Sequence, residues 1–209
     1  MNIILLGPQG SGKGTQARLL AQKLGFYYIE TGECLREIAK NNPEIDRIIN
    51  KEGKLLPDEL TFSFIKRHLE EKAPQADNLL FDGYPRTLKQ YQLLNSWLKE
   101  KGRRIDLAIF LSISEEESIR RLSARRMDKV TGKVYNLITN PPGPEIPPEN
   151  LIQRQDDTPE LIRKRLEEYR QTTAPLIKVF EQEGILRKVE GERPIEVIFA
   201  DLQKIITGI

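Results

Sequence analysis

The sequence predicts an α/β fold in which a parallel five-stranded sheet carries helices on both faces. Three observations lead there. Short apolar runs alternate with longer amphipathic stretches, the rhythm of strand–helix–strand units. A glycine-rich segment, Gly7-Pro8-Gln9-Gly10-Ser11-Gly12-Lys13-Gly14-Thr15, stands between the first apolar run and the first amphipathic stretch. Two stretches, about 30–56 and 127–153, break the rhythm and read as lobes inserted into a single core.

The strands are expected at 2–6, 26–29, 79–81, 107–111 and 185–189, runs rich in Ile, Leu, Val and aromatics and too short for helices. Helices are expected at 13–24, 33–39, 58–71, 89–101, 115–126, 159–183 and 194–206. In 159–183 the residues Leu161, Leu166, Tyr169, Ala174, Leu176, Ile177 and Phe180 form an interrupted helical stripe. Crossovers between parallel strands should be right-handed. The stretch 30–56 holds helical segments with no strand between them. The stretch 127–153 is turn-rich, and 140–148 contains five of the chain's 13 prolines. A surface loop or a proline-rich partner ligand would account for that composition. A rigidified lobe is preferred, because so long a loop in a compact domain is usually functional. Its prolines should restrict the unfolded ensemble and so help to hold the lobe together.

The 209 residues include 33 Lys plus Arg and 31 Asp plus Glu, a formal net charge of +2. That balance excludes a uniformly cationic nucleic-acid binder, and no aromatic–basic interleaving points to one. A domain of this size should bury roughly 70% of its unfolded surface without a staple. The single cysteine, Cys34, excludes an internal disulfide and a four-cysteine zinc site, fits a reducing compartment, and reads as a packing residue. The one histidine, His68, lies in a Lys/Glu-rich helix and reads as solvated. No apolar run approaches the ~20 residues of a membrane span. The first residues run straight into a strand without a basic leader, so no signal peptide is expected.

The glycine-rich segment has the GxxxxGK spacing of a phosphate-binding loop. Glycines let backbone N–H groups turn inward around a phosphate, the helix N-terminus adds a favourable dipole, and Lys13 supplies positive charge. The usual Ser/Thr directly after the lysine is displaced by one, to Thr15. Asp82 ends an apolar strand, where a carboxylate suits Mg²⁺ or its waters. Arg86, in Asp82-Gly83-Tyr84-Pro85-Arg86-Thr87, stands at the start of a helix, where a cation is disfavoured. That placement points to an anionic partner on the ligand-binding side of the sheet.

These motifs, with Thr31-Gly32, Arg36, Gln90, Arg125-Arg126, Arg154-Gln155-Asp156-Asp157 and Arg163-Lys164-Arg165, resemble the nucleoside monophosphate kinases, and most closely adenylate kinases with a long lid. The resemblance spans essentially the whole chain. It implies a P-loop NTPase-like core at 1–29, 57–126 and 154–209, an AMP-binding lobe at 30–56 and a lid at 127–153. It implies that ATP is bound by Gly10, Ser11, Gly12, Lys13, Gly14 and Thr15, with Arg121, Arg125, Val134, Tyr135 and Arg193. AMP would face Thr31, Arg36, Lys54, Leu55, Leu56, Gly83, Tyr84, Pro85, Arg86 and Gln90, together with Arg154 and Arg165. An amide such as Gln90 can both donate to and accept from adenine's edge. Thr31 reads equally as a helix N-cap. Lys13, Arg86, Arg125, Arg154 and Arg165 would act on the transferring phosphoryl, with Asp82 holding Mg²⁺ through water.

Some members of the family hold the lid with zinc on four cysteines, which this chain lacks. Asp128 and Thr131 are candidates for the polar network that replaces them in others. The resemblance further implies ATP and AMP/ADP as partners, no nucleic acid or membrane, a cytoplasmic location and a monomer. Another monophosphate acceptor, or GTP as donor, is the alternative. A degenerate nucleotide-gated switch is disfavoured by the retained Lys13, Asp82 and arginines.

Overall fold

The computed structural model describes residues 1–52, 54–154 and 157–208. Gly53 and Ile209, and Gln155 and Asp156 of the arginine-containing motif, lie outside the described residues. The chain runs β1 (Ile3–Leu6), α1 (Lys13–Leu24), β2 (Tyr27–Glu30), α2 (Thr31–Ala39), α3 (Pro43–Asp46), a π-helical turn (Arg47–Lys51), α4 (Asp58–Lys72), β3 (Leu79–Asp82) and α5 (Leu88–Glu100). It continues β4 (Leu107–Ser112), α6 (Glu115–Ser123), β5 (Arg125–Asp128), β6 (Val134–Asn136), a 3₁₀ turn (Pro148–Asn150) and β7 (Leu151–Ile152). It ends α7 (Pro159–Glu168), a second π-helical turn (Tyr169–Thr173), α8 (Pro175–Gln182), β8 (Leu186–Glu190) and α9 (Ile195–Thr207).

Strands β2-β3-β1-β4-β8 form one sheet, all parallel. Its alternation of side chains sorts the core into two layers. Ile4, Leu6, Ile29, Leu79 and Phe81 face Ile65 and Leu69 of α4, Leu94, Trp97 and Leu98 of α5, and Leu176 and Phe180 of α8. Ile3, Leu5, Leu80, Leu107 and Ile109 face Ala17 and Leu20 of α1 and Ile198, Leu202 and Ile206 of α9. All five strands fall where the apolar runs place them, within one residue. Some helices begin where the sequence supplies a cap: Thr87 Oγ1 accepts from Gln90 N at 3.1 Å before α5, and Ser114 Oγ accepts from Glu117 N at 3.2 Å before α6. β1 leads into α1 on one face of the sheet, while its neighbour β3 leads into α5 on the other. The carboxyl ends there open the crevice in which such folds bind ligands.

Four expectations need correction. The helix expected at 115–126 ends at Ser123, and Arg125-Arg126 lie in β5. Arg121 and Arg125 are four apart in sequence, as on one helix face, but only Arg121 is helical: antiparallel pairing with β6 (Arg126 opposite Tyr135) and β7 (Met127 opposite Ile152) takes over the backbone from Arg125. The stretch 127–153 is thus a small sheet with an irregular proline-rich return, not a loop alone. The helix expected at 159–183 is two helices, because the π turn shifts the ladder and Pro175 opens α8 as its first residue. Thr31 is the first helical residue of α2, not its cap. Glu30 holds the cap position and makes no side-chain capping bond. His68 is half-buried, and its Nε2 lies 2.9 Å from the Tyr27 hydroxyl.

Asp128 and Thr131 do form a network in the small sheet. The Asp128 carboxylate accepts from the backbone N–H groups of Val130 and Thr131 and, at 2.5 Å, from Thr131 Oγ1. Asn136 adds to it: its Nδ2 donates to Arg121 O at 2.8 Å, and its Oδ1 accepts from Ile138 N and Thr139 N. The helical stretch 31–51 has its own small core of Leu35, Ala39, Ile45 and Leu56. Half-buried Cys34 stands beside that cluster rather than in it.

Candidate active site

β1 delivers the glycine-rich loop to the crevice. Gly12, the cap of α1, takes φ +89°, which glycine adopts without strain. Lys13 folds back over the loop, its Nζ donating to Gly7 O at 2.6 Å and Pro8 O at 2.9 Å. Burial lowers its pKa to about 8. Asp82 opposes that shift, and Arg86, Arg165 and Arg125 reinforce it. Asp82, at the end of β3, is 8% exposed, and burial raises its pKa against the pull of Lys13. A Cβ on Gly14 would lie 3.3 Å from Asp82 Oδ2, so the missing side chain after Lys13 leaves this carboxylate facing the loop.

Two cavities open on the crevice. The larger, about 550 Å³, is lined by Gly10 through Thr15, Asp82, Arg121, Arg125, Val134, Tyr135 and Arg193. The smaller, about 360 Å³, is lined by Thr31, Arg36, Lys54, Leu55, Leu56, Gly83, Tyr84, Arg86 and Gln90. Arg36, Arg86, Arg154, Arg165, Gln9, Gly32 and Gly83 line both, so the cavities meet at a wall rich in arginine. Of the residues the resemblance assigns to ATP, AMP, the phosphoryl or the metal, only Pro85 lines neither. It is buried after a cis peptide bond from Tyr84 and shapes the turn instead.

The cationic side chains are held in place before any anion arrives. Arg86 Nε donates to Gly83 O at 2.9 Å, its backbone N–H to Gln90 Oε1 at 2.8 Å, and its carbonyl accepts from Thr173 Oγ1 at 2.9 Å. Burial and neighbouring Arg165 depress the guanidinium's pKa, as expected of a site short of negative charge. Arg125 grips Asp157 with two bonds, Nε–Oδ2 at 2.7 Å and Nη2–Oδ1 at 2.5 Å, and Arg165 stands 3.6 Å from the same carboxylate. Arg121 bonds Glu117 and reaches Gly10 O at 3.4 Å. Gln90 Nε2 donates to Asp58 Oδ1, which leaves its amide one donor and one acceptor position for a ligand. Thr31 Oγ1 is buried and has no partner, an unmet polar group in the wall of the smaller cavity.

A family model for adenylate kinase matches residues 5–185. The chain belongs to the adenylate kinase family. The match begins within β1 and ends just before β8, so it takes in the glycine-rich loop, both inserted stretches and every arginine of the shared wall. Full-length relatives agree. An adenylate kinase of Methanothrix thermoacetophila is 39% identical over 99% of each chain. One of Syntrophomonas wolfei is 40% identical over 98% of each, and one of Archaeoglobus fulgidus is 37% identical over 100% of this chain and 99% of its own.

Three residues at or behind the cavities are not legible from motifs alone: Asp157, Glu30 and Gln9. In sequence, Asp157 is one of an acidic pair beside arginines, a pattern that looks like solvated surface. Its neighbours leave it fully buried. The usable signal for Glu30 was the spacing of Tyr28 and Glu30, which puts both on one face of β2 at the ligand end of the sheet.

Proposed function

We propose that the chain catalyses reversible phosphoryl transfer from Mg²⁺-bound ATP to AMP, giving two ADP. The observation that carries this reading is the arrangement of two cavities, one built on the glycine-rich loop, that share a wall of Arg36, Arg86, Arg154 and Arg165. Two anionic ligands bound on either side would present their phosphates to each other across those cations. In this reading 1–29, 57–126 and 154–209 are the core, 30–56 the acceptor lobe and 127–153 the lid.

Gly10 through Thr15 would cradle the donor phosphates, with Arg121, Arg125, Val134, Tyr135 and Arg193 around the rest of the ATP. Lys13 would exchange its loop carbonyls for phosphate oxygens. Thr31, Arg36, Lys54–Leu56, Gly83–Arg86 and Gln90 would hold AMP, the orphaned Thr31 hydroxyl gaining its missing partner there. Among the described residues no three His, Cys, Asp or Glu side chains gather as metal ligands. Asp82, facing the loop through the space at Gly14, suits a divalent ion held mostly by phosphates and water. Such an ion would offset charge between the β- and γ-phosphates.

The transition state of phosphoryl transfer spreads charge over the equatorial oxygens and asks for positioning more than for a strong base. Arg86, Arg125, Arg154 and Arg165 supply planar, permanently charged forks for that purpose. Closing 30–56 and 127–153 over the crevice would keep water from competing with AMP. No described helix is long and apolar enough to cross a membrane. A monomer acting on small nucleotides in the cytoplasm completes the proposal. The deciding test is a coupled assay with ATP-Mg²⁺ against AMP, CMP, UMP, GMP and no acceptor, repeated with GTP as donor. Transfer to AMP alone is expected. Equal rates on another monophosphate, or hydrolysis without transfer, would overturn it.

The depressed pKa of Lys13 has a measurable consequence. Bound phosphate favours the ammonium form, so its pKa rises in the complex. ATP affinity should therefore be level below pH 8 and fall as pH rises through about 8. Calorimetric titration of ATP between pH 7 and 9.5 checks this, and Lys13→Gln should flatten the profile.

A further inference from the structure

Glu30 is a carboxylate in a crevice made for anions. It ends β2 directly beside Asp82, its register partner on β3, so two like charges lie side by side, an arrangement that costs stability. Its side chain is 17% exposed and lines the larger cavity. Cations and a hydroxyl hold it there. Glu30 Oε2 accepts from Arg18 Nη2 at 2.6 Å and from the Tyr28 hydroxyl at 3.1 Å, and the same hydroxyl lies 3.1 Å from Asp82 Oδ2. Glu30 Oε1 accepts from Arg36 Nη2 at 3.3 Å.

The last contact is the informative one. Arg36 lies back over the first turn of α2, so close to Gly32 that a Cβ there would come within 3.0 Å of its Nη1. A guanidinium above a helix N-terminus is poorly placed unless an anion shares the position. Glu30 is that anion: it stands at the cap of α2 yet leaves the helix N–H groups unbonded by its side chain, spending one oxygen on Arg36 instead. Arg36 lines both cavities, beside the unpartnered Thr31 hydroxyl.

We propose that Glu30 is a specificity-determining residue of the acceptor site, a resident carboxylate that competes with the acceptor's phosphate for Arg36. The inference rests on the reading of the smaller cavity as the AMP site. A phosphate that docks on Arg36 displaces Glu30, which keeps its bonds to Arg18 and Tyr28. The competition lowers affinity for phosphate-bearing ligands and leaves affinity for the nucleoside unchanged. It therefore hastens release of ADP formed in the acceptor site.

The test is calorimetric titration of AMP and of adenosine into wild type and Glu30→Gln, without metal or ATP. Loss of a half-exposed ion pair is expected to tighten AMP binding roughly three- to fivefold, with adenosine unchanged. In an Arg36→Gln background the gain should vanish. Glu30→Asp, which keeps the charge but shortens the reach, should gain less, and it serves if Glu30→Gln melts below wild type. Unchanged or weaker AMP binding in both variants would overturn the proposal, as would an equal gain for adenosine or a gain that survives without Arg36. If wild type binds no AMP, the acceptor reading fails first and this inference falls with it. If wild type binds AMP and the variants bind it identically, only this inference fails.

Discussion

Replacing Arg86 with alanine should lower kcat on the order of 10³-fold or more while the protein stays folded. The size follows from the loss of a charged fork at a phosphoryl transition state. The fold should tolerate the change, because Arg86 packs against polar partners rather than in either core layer. Its backbone is held independently by Gln90 and Thr173, and these contacts survive truncation. Arg86→Lys should recover little. An ammonium keeps the charge but lacks the Nε that anchors to Gly83 O and the planar fork that binds phosphate with two bonds. Steady-state kinetics with both substrates varied, alongside a thermal melt, check this. A variant within tenfold of wild type would remove Arg86 from the mechanism.

The second large effect is expected at Asp157. Its carboxylate is fully buried and serves two guanidinium groups, Arg125 through two bonds and Arg165 at 3.6 Å. Those arginines are 18% and 19% exposed, so solvent screens little of their repulsion once the anion is gone. Breaking one side of a buried charge cluster typically destabilises by about 3–5 kcal/mol. Asp157→Ala should therefore lose roughly 3 kcal/mol in urea unfolding and should also lose turnover, because Arg125 and Arg165 would no longer be aimed. Asp157→Asn keeps the shape without the charge and should fall between. Wild-type stability and turnover in Asp157→Ala would show that the arginines are positioned by other contacts.

How much of this was legible in the sequence depended on the range of the forces involved. The five strands and α1 were readable because local composition and spacing fix them: Ile3 to Leu6 can be little else beside Gly7, and the loop glycines punctuate α1. The small sheet was not readable. β5 to β7 are only two to four residues long, without a lengthy apolar run, and they exist because Arg126 finds Tyr135 and Met127 finds Ile152 across turns. The division of 159–183 was partly visible at Pro175. The π turn before it was not, although it places Thr173 against the carbonyl of Arg86. The residues lining the cavities were named mostly from motifs. Asp157 escapes because its meaning lies in a distant partner, Arg125; for Glu30 the spacing from Tyr28 gives the face of β2 but not the neighbouring Asp82.

The clamp between Arg125 and Asp157 joins residues 32 apart, at the two ends of the stretch that holds the small sheet. Held at both ends by this ion pair, the intervening chain behaves as a loop whose ends are kept together. The entropic cost of such a loop grows only with the logarithm of its length, about 0.6 kcal/mol for each doubling. Insertions or deletions near Gly143, on the proline-rich return, should therefore leave the sheet and its arginines almost untouched. The length of the return is thus a soft variable of this stretch, while the pairing of Arg125 with Asp157 is a hard one.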